Sequence, residues 1–188
     1  FVLSGFVIAY AYQTRLDVEI TKKEYLLLRL ARIWPMHFLT AVPYLVVAIL
    51  NSNLNIFEGI LNLALIQSFL PFKSVYFSLN AVSWSLSNEI FFYLCFIPLF
   101  KLSNKRLITF WAIFLALLLL IASYAHYQNT YMNNESFPTS NWLFYIFPPF
   151  RVIEFLSGIL LYRFYVKGVI VSSIFLPFAY FFLVFAML

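Results

Sequence analysis

The chain has 188 residues, 64% of them hydrophobic, 22% aromatic and 10% charged, with a mean hydropathy of +0.90; a soluble domain is about a quarter charged, so the bilayer is the solvent here and a separate soluble domain is excluded. The net charge of +5 sits mostly in short basic clusters beside apolar runs, the pattern of cytoplasmic loops, and calls for no nucleic acid. The single cysteine, Cys95, lies in an apolar run, which excludes a disulfide framework and a cysteine metal cluster, so no metal is expected.

A spanning helix needs about 20 apolar residues. By that measure the expected fold is all-α: a polytopic transmembrane helical bundle of about six or seven membrane helices, forming one domain over residues 1–188. The opening run FVLSGFVIAYAY, 1 to 12, has no charged segment before it and reads as a truncated helix rather than a signal peptide. The final run also ends without a polar residue, so the chain is expected to be a fragment incomplete at both ends. The segment TRLDVEITKKEYLLLRLARIW, 14 to 34, carries five of the twelve basic residues and is placed in the cytoplasm by the positive-inside rule. A helix over 33 to 50 leads to NSNLN, 51 to 55, outside.

The next apolar segment, 57 to 71, is short, holds Glu58 and Gln67, and stops at Pro71. After a helix over 84 to 100 comes the basic loop KLSNKR, 101 to 106, which two full crossings between 55 and 101 would leave outside. A re-entrant or interfacial 57 to 71 removes the conflict, and irregular backbone at depth is allowed only where protein or a water-filled cavity lines it. Helices over 107 to 126, 144 to 164 and 168 to 188 complete the chain. Between them, 127 to 142 faces out, with Glu135 and the weak glycosylation pattern of Asn134 and Ser136, while Arg163 and Lys167 face in.

A charged side chain at mid-bilayer costs roughly 2.5 to 3.5 kcal/mol on insertion scales, so each one requires a partner, an aqueous cavity or neutralisation. Glu89 lies in WSLSNEIFFYLCFIPLF with no basic residue within helical reach; Ser85, Glu89 and Tyr93 share a face, with Trp84 and Asn88 on the adjoining one. This stripe is either part of a site or a carboxylate that pairs with a base on another helix, for which Arg151 is the candidate. Arg151 and Glu154, three apart in FPPFRVIEFLSGILLYRF, either form a bundle-holding pair or belong to a site. Gly158 continues that face and would admit a close neighbouring helix. Arg29 and Arg32, three apart in LLLRLARIWP, could grip phosphates from the cytoplasmic side through their planar forks, or anchor the chain to anionic headgroups. His37 and His126 both read as ordinary interfacial residues.

Four pieces in order, FVLSGFVIAY at 1 to 10, LLLRLARIWPMH at 26 to 37, SWSLSNEIFFYLCFIPLF at 83 to 100 and FRVIEFLSGILLYRF at 150 to 164, resemble the membrane acyltransferase 3 family, integral proteins that acylate carbohydrates and other hydroxyl-bearing acceptors. The resemblance implies an acyl group, typically acetyl, passed from acyl-CoA to a sugar hydroxyl on an envelope polysaccharide or its lipid-linked precursor. It implies no permanently bound cofactor, and membrane lipids, acyl-CoA and a carbohydrate or lipid-linked sugar as partners in a bacterial inner membrane. Arg29 and Arg32 match the family's RxxR motif for acyl-CoA. Ser4, Gly5, Trp84, Ser85, Glu89, Arg151, Glu154 and Gly158 fall on its other recurrent positions. The expected roles are catalysis by Glu89, Arg151 and Glu154, and substrate binding by Trp84, Ser85 and Tyr93. The family's essential histidine lies on the helix before SGF, ahead of Phe1, and His37 does not replace it. The rival readings are a transporter or flippase of a sugar or lipid-linked substrate, since intramembrane charges also mark transport paths, and a non-catalytic membrane scaffold.

Overall fold

The computed structural model describes residues 1–51, 55–131 and 142–168, the side chains of 128–131 excepted. The helix expected from 168 on and the Asn134–Ser136 pattern lie outside the described residues, apart from the turn at Gly168. Seven α-helices follow in order: α1 Val2–Tyr12, α2 Lys22–Leu50, α3 Ile56–Leu63, α4 Lys73–Tyr76, α5 Trp84–Leu99, α6 Asn104–Tyr131 and α7 Pro148–Val166, with short tight turns at 67–69 and 81–83 and a wide turn at Trp142–Ile146. Four segments are long and apolar enough to cross a membrane, Lys22–Leu50, Ala81–Leu99, Asn104–Tyr127 and Trp142–Val166, while Val2–Tyr12 is shorter. Six or seven spans is therefore more than the described residues show. Exposed Leu27, Trp34 and Phe38 on α2 and Leu117 and Leu120 on α6 need a bilayer rather than water around them, as in an integral membrane protein.

α2 begins eleven residues before the expected start at 33, because TKKE forms a capping box. The Thr21 side chain accepts from the Glu24 amide at 3.2 Å, and the Glu24 carboxylate accepts from the Thr21 amide at 2.7 Å. That extension puts Arg29 and Arg32 on the spanning helix itself. α5 starts at the expected residue, and α7 has Pro148 at its first position, where a missing amide hydrogen costs nothing.

The segment 57 to 71 does not form one spanning helix, as the re-entrant or interfacial reading expects. α3 stops at Leu63, Leu65 turns with a φ of 57°, and the chain continues as broken backbone to Trp84. Its polar side chains turn into the protein. The Asn62 amide donates to the Ser78 carbonyl at 2.6 Å and to Ser83 Oγ at 3.0 Å, and His37 Nε2 donates to the Asn62 carbonyl at 3.0 Å. Trp34 Nε1 donates to the Leu63 carbonyl, and Ser68 Oγ to the Trp84 carbonyl. Backbone that leaves helical pairing in lipid must find such partners.

The C-terminal end of α5 answers the parity question. Its C-terminal end meets the loop after α1: Lys101 Nζ lies 2.5 Å from the Asp17 carboxylate, and the Gln13 amide donates to the Phe100 carbonyl at 2.7 Å. KLSNKR thus shares a face with the basic segment before α2, as a non-crossing 57 to 71 requires. Buried Arg163 joins them, donating to the carbonyls of Leu102 at 2.6 Å and Phe100 at 2.9 Å, to Asn104 Oδ1 at 3.2 Å and to Gln13 Oε1 at 3.3 Å.

α1 lies directly on α7. A Cβ on Gly5 would collide with the carbonyl of Phe155, and one on Gly158 with backbone atoms of Val2 and Phe6, so only glycine permits this approach. Gly158 thus admits a close neighbour as expected. Phe92 of α5 stacks on Phe155 of α7 at 5.1 Å, and α6 flanks α7, with Trp111 Nε1 donating to Ser157 Oγ at 2.8 Å.

Candidate active site

The contact between α1 and α7 leaves the other face of α1 against α2 and α5. A cavity of about 140 Å³ opens there, lined by Leu3, Ser4, Val7 and Ile8 of α1, Arg29 and Arg32 of α2, and Glu89 and Tyr93 of α5. Two of the polar constellations read from the sequence therefore face one space. Tyr93 sits one turn below Glu89, and its hydroxyl donates to Glu89 Oε2 at 2.8 Å, while Ser4 Oγ donates to Oε1 at 3.5 Å. Two hydroxyls hold the carboxylate. Hydrogen bonds to a charged acceptor are worth about 1.5 to 3 kcal/mol each, enough to make its depth tolerable.

Arg29 is only 7% exposed. Its guanidinium carbon lies 4.5 Å from the centre of the Tyr12 ring and 5.7 Å from that of Tyr93, a cation held by aromatic faces. Among the described residues no carboxylate lies within 4.0 Å of it, and its Nε has no hydrogen-bond partner. Tyr25 braces this wall, its hydroxyl donating to the Tyr93 carbonyl at 3.3 Å. Arg32, one turn on, is exposed at the cavity margin. A buried positive charge without a counter-ion beside a second arginine is a place for an anion.

Arg151 does not reach Glu89. It pairs with Glu154 at 2.7 Å, as an i,i+3 pair on a helix can, and its guanidinium carbon lies 5.3 Å from the centre of the Phe1 ring and 5.4 Å from that of Tyr145. Trp84 joins this second cluster, with ring centroids 6.3 Å from Phe1 and 4.9 Å from Tyr145. α7 does pack on α5, but its rotation carries Arg151 to Phe1 and Tyr145 rather than to Glu89. Ser85 is turned to its own backbone, donating to the Val82 carbonyl at 3.0 Å, and does not line the cavity. His37 is buried in the Asn62 network, and no histidine lines the cavity.

The sequence reading had no role for Tyr12, which covers Arg29, and took Arg163 only as a topology signal. Ser4 was legible as the one hydroxyl in the first nine residues, but its partner lies 85 residues away. At the basic end, the hydrogen bond from Lys101 holds the Asp17 carboxyl below its ordinary range, against a smaller opposing effect of desolvation. No group of three or more potential metal ligands occurs among the described residues.

The whole chain, residues 1–188, matches the family model described as an acyltransferase domain. The "Acyltransferase MdmB" of Streptomyces mycarofaciens is 28% identical over 176 residues, covering 86% of this chain and 44% of that protein. The "Putative acetyltransferase ORF330" of Acidianus two-tailed virus is 32% identical over 156 residues, covering 80% of this chain and 43% of that protein. The chain thus spans less than half the length of either relative. No solved structure matches it.

Proposed function

Since the chain belongs to the acyltransferase 3 family, we propose that it is an acyltransferase that moves an acyl group, in the first instance acetyl, from acyl-CoA to a carbohydrate hydroxyl at a bacterial inner membrane. The observation that carries this reading is Arg29: a buried cation with no carboxylate partner among the described residues, facing a cavity shared with Arg32 and Glu89.

The cavity lies toward the end of the bundle that holds the basic loops, the end the positive-inside rule assigns to the cytoplasm. Acyl-CoA arrives from that side. At about 140 Å³ the space is below the roughly 300 to 1,000 Å³ of a pocket that encloses a whole small molecule. It suits one phosphate-bearing stretch of the donor, gripped by Arg29 and Arg32, with the rest of CoA outside it.

Transfer requires the sugar hydroxyl to lose its proton as its oxygen attacks the thioester carbonyl; the carbon–sulfur bond then breaks and CoA leaves as the thiolate, which takes up a proton. A sugar hydroxyl is a poor nucleophile near neutral pH, and a positioned base contributes about two to four orders of magnitude. We assign that base to the histidine the family resemblance places on the helix before SGF. Glu89, already oriented by Ser4 and Tyr93, positions that base or accepts from the sugar. Arg151, paired with Glu154, holds the aromatic cluster beside it.

The test uses the full-length protein in membranes, measuring acetyl-sugar formation and apparent affinity for acetyl-CoA in wild type and in an Arg29→Ala, Arg32→Ala double variant. The double variant is expected to raise the apparent KM for acetyl-CoA at least about tenfold, as loss of two charge-assisted contacts implies. An unchanged KM refutes the donor assignment.

A further inference from the structure

The charge on Arg29 is held without being neutralised. Its guanidinium carbon lies 4.5 Å from the centre of the Tyr12 ring and 5.7 Å from that of Tyr93, and among the described residues no carboxylate lies within 4.0 Å of it. A carboxylate there would quench the charge and take the place of an incoming anion. An aromatic face does neither, because it attracts a cation through the ring quadrupole and leaves the edge of the guanidinium, with its N–H donors, open.

Both rings are themselves fixed. The Tyr93 hydroxyl donates to Glu89 at 2.8 Å, and its carbonyl accepts from the Tyr25 hydroxyl at 3.3 Å. Tyr12 is the last residue of α1, and its ring meets that of the fully buried Tyr25 edge-on, with centroids 5.0 Å apart and planes at 75°. Its backbone is tied down as well, the Tyr12 carbonyl accepting from the Leu16 amide at 3.0 Å. The next residue, Gln13, donates to the Phe100 carbonyl at 2.7 Å and accepts from Arg163 Nε and Nη2, each at 3.3 Å. The Arg163 network at the basic end thus reaches Arg29 through two consecutive residues.

Ser4, Ile8 and Tyr12 fall four apart on one face of α1, about 12 Å from first to last. Ser4 donates to Glu89 at one end of this stripe, and Tyr12 covers Arg29 at the other. One helix face therefore sets both charged groups of the cavity.

A long arginine side chain left free must be ordered at the moment an anion binds, and that cost subtracts from affinity. We propose that Tyr12 is a positioning residue for the donor: its ring holds the Arg29 guanidinium in the orientation that receives a phosphate, and Gln13 holds Tyr12. The proposal rests on the acyl-CoA reading and adds the residues that make its buried arginine ready. A tyrosine that only filled space would be indifferent to the electronics of its ring.

The experiment measures CoA binding by calorimetry with full-length protein in nanodiscs of zwitterionic lipid. Tyr12→Leu should weaken CoA about fivefold, and Tyr12→Phe, which keeps the ring face, should bind as wild type does. Pentafluorophenylalanine in place of Tyr12 keeps the ring but reverses its quadrupole, so it should lose affinity as Tyr12→Leu does. In an Arg29→Ala background Tyr12→Leu should cost nothing further, since the cation it holds is gone. Gln13→Leu should give a smaller loss that vanishes in the same background. Equal CoA affinity with phenylalanine and pentafluorophenylalanine, or a Tyr12→Leu loss as large without Arg29 as with it, overturns the proposal and leaves Tyr12 a packing residue. Wild-type affinity in Gln13→Leu overturns the link to Arg163. A loss in Arg29→Ala with wild-type affinity in Tyr12→Leu refutes the proposal alone, whereas CoA binding indifferent to Arg29→Ala refutes the donor reading and the proposal with it.

Discussion

Replacing Arg163 by methionine tests whether one buried cation holds the basic end of the bundle together. The methionine fills similar space but removes every donor. Arg163 is 9% exposed and serves two short bonds, to the Leu102 carbonyl at 2.6 Å and the Phe100 carbonyl at 2.9 Å, beside longer ones to Asn104, Gln13 and the Leu99 carbonyl at 3.2 to 3.4 Å. The three carbonyls belong to the C-terminal end of α5 and the residues just after it, groups a helix cannot satisfy itself. Leaving a buried acceptor unpaired costs about 1 to 3 kcal/mol. The Phe100 carbonyl keeps the Gln13 amide at 2.7 Å, so counting the Leu102 bond fully and discounting the longer ones, which water at this end can replace, gives a destabilisation of about 1 to 3 kcal/mol. Arg163→Lys, with one compact ammonium for five separate acceptor groups, should lose about half of that. Full-length protein in detergent, unfolded by heat and followed by tryptophan fluorescence and by aggregation, provides the assay. A methionine variant within about 0.5 kcal/mol of wild type, the spread of ordinary surface substitutions, would refute this account of Arg163.

Glu89→Gln should leave stability within about 1 kcal/mol, because the amide oxygen can still accept from Tyr93 while the amide NH2 donates to Ser4 Oγ, but lower turnover roughly tenfold or more; normal acetyl-sugar formation would favour the scaffold reading. Gly158→Ala should destabilise by about 1 to 3 kcal/mol, since α1 must move off the new methyl, and thermal unfolding that matches wild type would contradict the close crossing at Gly5. The clip between Lys101 and Asp17 should loosen in acid. The folded carboxyl titrates below its unfolded value of 3.8, so its contribution is complete above about pH 4 and is lost as pH falls through the lower folded value. Hydrogen exchange of residues 13–21 should accelerate only in that range, and Asp17→Asn should abolish the pH dependence.

Part of this architecture was legible residue by residue. The start of α2 was not: the apolar pattern set it at 33, and the TKKE capping box starts the helix at Lys22. Glu58, Gln67 and Pro71, set against the charge of KLSNKR, indicated that the segment after α2 does not cross, and the structure breaks it after Leu63. Gly158 announced a close crossing without naming Gly5 as its partner. The pairing of Glu89 was read toward Arg151, yet Arg151 had a nearer acid one turn away, and α7 turns it toward Phe1 and Tyr145.

By itself the sequence determined the class: too little charge for water, apolar runs of spanning length, basic clusters that orient them, and ordered motifs that carry the family. These are properties of single segments and their near neighbours, each governed by the free energy of transfer from water to lipid or by contacts within one or two turns. Tertiary structure alone decided that Arg29, Arg32, Glu89 and Tyr93 face one cavity while Ser85 and Arg151 do not. That outcome depends on the rotation and depth at which each helix packs, and those are set by contacts between residues far apart in the chain, with the glycine crossing of α1 on α7 and the stacking of Phe92 on Phe155 foremost among them.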